Sequence, residues 1–272
     1  MEDYQPKAAL SMSDDGVEGL DVQSYADSLC PRCSGSGYIS EDDGGALPRQ
    51  HLCPCVLEGR RRAAADRRII DLFGEGGARM TINTYQDGGI PENHTALECA
   101  KNYVQYWPKF REQGLGFALQ GEAGAGKTHL ATGTMIALIK RWDVRPFYMS
   151  VPEMLRLARK RFDDPQTADV MDRAMTADIY LLDDIGAEYH RGGVEGMSWV
   201  DEQLFVILNH RLTQGLPTLY TTNLSKRDLS QRLDMRVSRR LGSATLAFLP
   251  MLPVRAAQEA PEELRKLLLE GQ

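Results

Sequence analysis

The chain has 272 residues, of which 42% are hydrophobic and 26% are charged, and its formal net charge is −6 at pH 7. This length is enough to bury the core of one or two domains, and the composition is that of an ordinary soluble protein. Because no run of residues reaches the apolar length of a membrane span and the N-terminus lacks a signal peptide, we expect a cytoplasmic protein whose nucleic-acid contacts are local.

Composition divides the chain into four parts. Residues 1–28 are acidic and polar with few apolar anchors, which predicts a mobile arm. We then predict a zinc-binding domain with a basic helix (29–72), a linker rich in glycine (73–78) and a nucleotide-binding domain (79–272). The five arginines of the basic helix form either a solvated face or a contact with nucleic acid.

Four of the five cysteines are close together in the sequence, as a C-x-x-C pair (Cys30, Cys33) and a C-x-C pair (Cys53, Cys55). Zn²⁺ binds four thiolates in a tetrahedron, and a closed set of four leaves no open position for water. The spacing therefore predicts a structural zinc site, and so small a segment should depend on the metal to fold. Two alternatives remain: His51 replaces one cysteine of the second pair, or the cysteines are buried without a metal.

Residues 121–128 match the phosphate-binding pattern G-x-x-x-x-G-K-[ST] in full. An apolar strand (115–119) precedes this loop and a helix (129–140) follows it, which is the context that a phosphate loop requires. We expect Lys127 to reach the β- and γ-phosphates of a nucleotide and Thr128 to bind Mg²⁺. The predicted nucleotide-binding residues are Gly121, Glu122, Ala123, Gly124, Ala125, Gly126, Lys127, Thr128 and His129.

Two further strands end in polar residues. The apolar run 179–182 is followed by Asp183 and Asp184, at the strand end where α/β sheets bind ligands. Asp183 is predicted to hold Mg²⁺, and Asp184 to orient the attacking water. The strand at 216–222 is followed by Asn223, which is either a sensor of the γ-phosphate or an ordinary turn residue.

Strands and helices alternate through the nucleotide-binding domain, which predicts an α/β fold with a parallel sheet covered by helices on both faces. Residues 95–110 have apolar positions at helical spacing and place Cys99 in the core. A helix is expected to open at Pro152. The last residues, 246–272, hold one strand-like piece and a short helix at 262–270, too little for a separate domain.

A basic stretch, residues 226–240, contrasts with the acidic whole. Arg236 and Arg240 are four residues apart and so share one helix face. An arginine here could complete the nucleotide site of a neighbouring subunit, or contact the phosphates of nucleic acid.

Together these motifs resemble the bacterial replicative helicase loaders of DnaC and DnaI type, within the AAA+ ATPases. The resemblance is carried by the phosphate loop, the run from Leu181 to Glu188, the run from Thr221 to Asn223, and the run from Arg236 to Leu241. It implies that Lys127 and Asp183 belong to the Walker elements, that Asn223 is sensor 1, and that Arg240 is the arginine finger, with Arg239 and Arg236 as alternatives. Asp184 stands where most AAA+ members have Glu, which predicts slow turnover.

The resemblance also implies an activity and partners. It predicts an ATPase that assembles as a spiral or ring with ATP at subunit interfaces, binds single-stranded DNA, and grips the replicative DNA helicase through its zinc domain. The AAA+ helical lid should be reduced or absent, with Arg255 a weak candidate for a second sensor. Two alternatives remain: a transposition-helper ATPase of IstB type, and a nucleotide-gated adaptor that hardly hydrolyses ATP.

Overall fold

The computed structural model describes residues 21–41, 49–151, 153, 165–186 and 199–254. Tertiary contacts divide the chain into two compact units, residues 1–64 and 65–272. Several predictions fall outside the described residues: most of the N-terminal arm, the helix opening at Pro152 beyond Glu153, the loop that contains Glu188, Arg255 and the helix at 262–270. In the described ranges, no helix has both the length and the apolar character needed to cross a membrane.

The first unit is built around the cysteines. A short helix, α1 (Val22–Tyr25), precedes an antiparallel pair of strands, β1 (Tyr38–Glu41) and β2 (Arg49–Leu52). Among the described residues of this unit, the buried hydrophobic ones are Val22, Cys30, Cys33, Cys53 and Val56. Because three of these five are cysteines, apolar packing alone gives this unit little stability.

A long helix, α2 (Pro54–Gly77), contains the basic helix that the sequence predicted, with a break in helical geometry at Gly74, where φ is 68°. The two units divide within this helix, after Ala64, whereas the sequence placed a linker at 73–78. The division is earlier because Ala65 and Ile69, one helical turn apart, pack against Ile136 and Ile139.

The second unit is a parallel sheet with helices on both faces, as predicted. The strand order is β4-β5-β6-β3-β7, and every neighbouring pair is parallel. Its strands are β3 (Gly116–Gly121), β4 (Pro146–Ser150), β5 (Ile179–Asp183), β6 (Thr218–Thr222) and β7 (Thr245–Met251). Its helices after α2 are α3 (Pro91–Gln105), α4 (Trp107–Glu112), α5 (Lys127–Trp142), α6 (Pro165–Thr176), α7 (Trp199–Thr213), α8 (Lys226–Arg232) and α9 (Met235–Ala244).

The strand residues alternate between two apolar clusters, one on each face of the sheet. On β5, Ile179 and Leu181 pack with α3 and α5, whereas Tyr180 and Leu182 pack with α6, α7 and α9. Burial on both faces explains why this strand is apolar without interruption. The carboxyl ends of β3, β5 and β6 therefore meet at one edge, which places the polar residues that follow them close together.

One predicted helix is divided in two. Residues 95–110 were expected to be a single helix, but α3 ends at Gln105 and α4 begins at Trp107, with Tyr106 between them at φ −106° and ψ 21°. Pro108 explains the division, since proline lacks the N–H that a continuous helix would need there. Cys99 is partly buried against the core, as predicted.

Candidate nucleotide site and cysteine cluster

The phosphate loop connects β3 to α5, as the sequence predicted. Gly124 and Gly126 have φ values of 84° and 80°, a left-handed backbone that glycine adopts without strain. A side chain at Gly126 would also collide with Tyr85, whose ring carbon would lie 2.8 Å from the added Cβ. The loop ends at the N-terminus of α5, where unpaired N–H groups and the helix dipole favour an anion.

Lys127 is buried at the base of this loop. Its Nζ donates hydrogen bonds to the carbonyl oxygens of Gly121 (2.8 Å) and Glu122 (3.0 Å) and to Oδ1 of Asn223 (2.7 Å). Burial lowers the pKa of Lys127, while the charges of Asp184 and Asp183 oppose that shift. The ammonium group is therefore held where the phosphate loop, β5 and β6 converge.

Asp183, at the end of β5, accepts hydrogen bonds from three hydroxyl groups. Thr128 Oγ1 lies 3.2 Å from both carboxylate oxygens, Thr221 Oγ1 lies 2.5 Å from Oδ1, and Tyr148 Oη lies 3.4 Å from Oδ2. Burial and the nearby Asp183 charge raise the pKa of Tyr148 to about 12, so its hydroxyl is protonated at neutral pH. A carboxylate beside a threonine hydroxyl is the oxygen donor set that Mg²⁺ prefers, so Asp183 and Thr128 fit this ion.

Asp184 turns out of the strand with a left-handed backbone, φ 58°. Its N–H donates to Thr221 Oγ1 (2.8 Å), and its Oδ1 accepts from Nδ2 of Asn223 (3.0 Å). Aspartate tolerates a left-handed backbone better than most residues do. Asp184 comes directly after Asp183, the last residue of β5. Asn223 thus bridges Lys127 and Asp184 with the two ends of one amide.

A cavity of about 530 Å³ opens over these groups. It is lined by Ala123, Gly124, Gly126, Lys127, Thr128, His129, Ser150, Asp183, Asp184 and Thr221. The other predicted loop residues, Gly121, Glu122 and Ala125, are not among its lining residues, although the carbonyls of the first two hold Lys127. Asn223 reaches the site through its bonds to Lys127 and Asp184.

Tyr148, Ser150 and Thr221 also belong to this site, although no sequence motif indicated a role for them. Tyr148 and Ser150 lie at the carboxyl end of β4, and Ser150 is paired in register with Asp183. The rule that α/β sheets bind ligands at the carboxyl ends of their strands would have indicated both.

The predicted arginine finger lies on α9. Arg240 Nε donates to Oδ1 of Asn209 (2.8 Å), and its guanidinium lies 5.6 Å from the centre of the Phe205 ring. Arg236 lies 5.4 Å from the same ring, which confirms that the two arginines share a face, while Arg239 is exposed. None of the three is among the residues that line the cavity of their own chain.

The four N-terminal cysteines form a cluster, as predicted. Their Sγ atoms all lie within 4.8 Å of one another; the Cys30 and Cys53 sulfurs are 3.7 Å apart, and those of Cys33 and Cys55 are 3.5 Å apart. A tetrahedral Zn²⁺ site with Zn–S bonds near 2.3 Å would separate its sulfurs by about 3.8 Å. The cluster is therefore consistent with a small zinc-binding domain.

The pKa of Cys30 and the position of His51 bear on which residues would bind a metal. Backbone N–H groups of Arg32 and Cys33 lower the pKa of Cys30 to about 7, whereas burial raises the pKa of Cys53 and of Cys55, so the cluster as a whole is not shifted toward thiolates. His51 is outside the cluster, and its Nε2 lies 4.0 Å from a carboxylate oxygen of Glu41. The arrangement therefore favours four cysteines over a set that includes His51.

Comparison with known proteins places this site in a family. The model of the family described as IstB-like ATP binding protein matches residues 109–244, a stretch that includes the phosphate loop and Asp183, Asp184, Asn223 and Arg240. The chain belongs to the IstB-like ATP-binding protein family. The matched stretch lies within the second unit and does not include the cysteine cluster.

Individual proteins and solved structures are also similar to this chain. The phage-like element PBSX protein XkdC of Bacillus subtilis (strain 168) is 26% identical over 223 residues, 79% of this chain and 77% of the relative. The replicative helicase loader DnaI of the same organism is 31% identical over 118 residues, 43% of this chain and 36% of the relative. The crystal structure of the DnaC helicase loader matches with a TM-score of 0.57 and 22% identity, over 65% of this chain and 99% of that one. These similarities support the DnaC/DnaI-type AAA+ loader family that the sequence predicted.

Proposed function

We propose that this protein is an ATP-dependent loader of the replicative DNA helicase. In this proposal the second unit hydrolyses ATP with Mg²⁺ and binds single-stranded DNA, while the zinc-binding unit grips the helicase. The protein would act in the cytoplasm, as an assembly with ATP at its subunit interfaces.

The observation that carries the proposal is the bridge that Asn223 makes between Lys127 and Asp184. Lys127 would contact the β- and γ-phosphates, and Asp184 would orient the attacking water. The side-chain amide of Asn223 would therefore contact one group on each side of the bond to the γ-phosphate that breaks. Loss of the γ-phosphate would therefore change the partners of Asn223. A residue placed in this way can report which nucleotide is bound to the rest of its domain.

Each component of the site has a separate role in the proposed hydrolysis. Asp183 and Thr128 would hold Mg²⁺, which neutralises charge on the phosphate oxygens. Lys127 would stabilise the transferring phosphoryl group. Arg240 would act on the site of a neighbouring subunit, because in its own chain it lies on α9 against Phe205 and Asn209.

Two observations support a loader in particular. DnaI of Bacillus subtilis, a relative over 118 residues, is a replicative helicase loader, and the DnaC loader shares this fold. The cysteine cluster supplies a second unit ahead of the ATPase, which offers a place for the helicase to bind.

A second candidate is a transposition-helper ATPase, which the IstB-like family match favours over residues 109–244. The third candidate, an adaptor, would bind ATP but would cleave it no faster than an Asp184→Asn variant.

A binding experiment tests the loader proposal. The full chain, immobilised with ATP and Mg²⁺, should capture the purified replicative helicase of its host. The Lys127→Ala variant should still capture it, because the zinc-binding unit is intact, but should not transfer it to single-stranded DNA. Capture of a transposase without capture of the helicase would exclude the loader proposal in favour of the transposition helper.

A further inference from the structure

Among the described residues, three hydroxyl groups contact Asp183, and one of these three belongs to neither the phosphate loop nor the neighbouring strand β6. Thr128 is the predicted partner of Asp183 at the metal, and Thr221 lies on β6. The third hydroxyl is that of Tyr148 on the edge strand β4, 3.4 Å from Oδ2 of Asp183. Thr221 holds Oδ1, so Tyr148 and Thr221 contact opposite oxygens of one carboxylate.

The ring of Tyr148 is itself held by a residue of α2. The ring centres of Phe73 and Tyr148 are 5.3 Å apart, with their planes inclined at 50°, and both side chains pack against the core cluster on that face of the sheet. Aromatic pairs at this distance are attractive beyond the area that they bury. The ring contact therefore limits the positions that the Tyr148 hydroxyl can take.

The backbone turns tightly directly after Phe73. The helical geometry of α2 breaks at Gly74, where φ is 68°, directly after Phe73. A Cβ atom added at Gly77 would lie 2.7 Å from Cβ of Phe73, so the returning backbone passes close to the phenylalanine. Glycine at both positions lets the chain turn tightly about Phe73.

We propose that Tyr148 is a positioning residue for Asp183: its hydroxyl holds the carboxylate in the orientation that binds Mg²⁺, and Phe73 holds the tyrosine ring. The inference rests on the proposed function, in which Asp183 binds the metal of an Mg–ATP complex. Residues that hydrogen-bond to a metal ligand orient it, and their loss weakens metal binding even though they never touch the ion. Phe73 is in α2 and belongs to the second unit, as Tyr148 and Asp183 do.

The test measures the Mg²⁺ dependence of nucleotide binding to the full chain, with a fluorescent ATP analogue that is not hydrolysed. We expect Tyr148→Phe to raise the Mg²⁺ concentration at half-saturation about tenfold, the lower end of the usual effect, because the contact is long. Saturating Mg²⁺ should restore wild-type binding, and binding of the analogue in EDTA should be unchanged. A purely structural defect would not be rescued by the metal.

Tyr180→Phe is the matched control. Tyr180 is on β5, it points to the opposite face of the sheet, and its buried hydroxyl has no hydrogen-bond partner among the described residues. Removal of this hydroxyl should leave the Mg²⁺ dependence at the wild-type value.

A second variant tests the role of Phe73. Phe73→Leu should shift the Mg²⁺ dependence in the same direction, by about threefold, and should add little to Tyr148→Phe, because residues that act through one contact are not additive. Full additivity would exclude an action of Phe73 through Tyr148.

Two results would overturn the inference, and they differ in what else they exclude. If wild type shows Mg²⁺-dependent binding and Tyr148→Phe titrates like wild type or like Tyr180→Phe, the positioning role is wrong while the proposed function stands. If wild type does not bind the analogue with or without Mg²⁺, the proposed ATP-dependent function fails, and this inference fails with it.

Discussion

The buried guanidinium group of Arg211 connects the end of α6 to the start of β6 by hydrogen bonds. The side chain is 1% exposed and donates to the carbonyl oxygens of Ala174 (2.8 Å), Ala177 (2.9 Å) and Pro217 (2.6 Å). The carbonyls at the end of a helix have no partner within the helix, and a cation there also complements the helix dipole. Burial lowers the pKa of Arg211 to about 9, so the group is still charged at pH 7.

Replacing Arg211 should be among the most destabilising single changes in the second unit. Arg211→Met keeps the length of the side chain but removes every donor, and we expect a loss of about 3–5 kcal/mol in the free energy of unfolding, because several buried carbonyls lose their partner. Urea denaturation would measure this loss in the free energy of unfolding. The control is Arg227→Met, which replaces an exposed arginine on α8. A loss below about 1 kcal/mol would show that these hydrogen bonds add little net stability.

At the scale of elements, the cysteine unit and the sheet are stabilised in different ways. The sheet has an apolar cluster on each face, whereas the buried core of the first unit, in the part of it that the structure describes, is two valines and three cysteines. For a unit with so small a core, we expect a bound metal to supply most of the stability, since the free energy of metal binding becomes free energy of folding.

Removal of zinc should therefore unfold the first unit and leave the second intact. We expect about one zinc per chain by elemental analysis, and none in Cys33→Ser after dialysis, because three thiolates bind the ion much more weakly than four. Hydrogen exchange should show loss of protection in residues 21–41 while ATP binding persists. Cys99→Ser, outside the cluster, should keep its zinc. Metal-free wild type with a protected first unit would contradict the prediction.

At the scale of the whole molecule, Lys127, Thr128, Asp183 and Asp184 line the cavity, but no arginine from α9 does. A guanidinium group near the transferring phosphoryl group contributes strongly to hydrolysis in related chemistry. A second subunit is the source that the position of Arg240 suggests, because in its own chain Arg240 contacts Asn209 and Phe205 and does not line the cavity.

Single-turnover cleavage of ATP, with and without single-stranded DNA, tests this arrangement. Asp184→Asn and Arg240→Ala should each slow cleavage at least about a hundredfold, since one loses the group that orients water and the other the stabilising cation. Mixing the two variants should restore part of the activity, because an interface can then combine Asp184 of one chain with Arg240 of another.

Two controls define that result. In the assay without DNA, Asp172→Asn, an exposed acid on α6, and Arg227→Ala should cleave ATP at the wild-type rate. If the mixture is no more active than its components, Arg240 does not act between subunits. If wild type is no faster than Asp184→Asn, the protein is an adaptor and not an ATPase.

Much of the nucleotide site could be predicted because its residues are local in sequence. The phosphate loop must begin after a strand and end at a helix, so its pattern fixes the positions of Lys127 and Thr128. The apolar run before Asp183 predicts a buried strand with carboxylates at its end, and the structure has this strand as β5. The four cysteines likewise indicate their own cluster, because a shared ion constrains their spacing.

Contacts between residues distant in sequence could be found only in the tertiary structure. Tyr148 contacts Asp183 because β4 pairs in register with β5, and Asn223 joins Lys127 to Asp184 because β6 lies between β5 and β3. Arg211 would be expected on the surface from its type alone, yet it is buried among carbonyls from two elements. The sequence by itself determined which chemical groups this protein has and where its strands end. The order of the strands in the sheet decided which of those groups meet, because a parallel sheet brings strand ends together without regard to their distance along the chain.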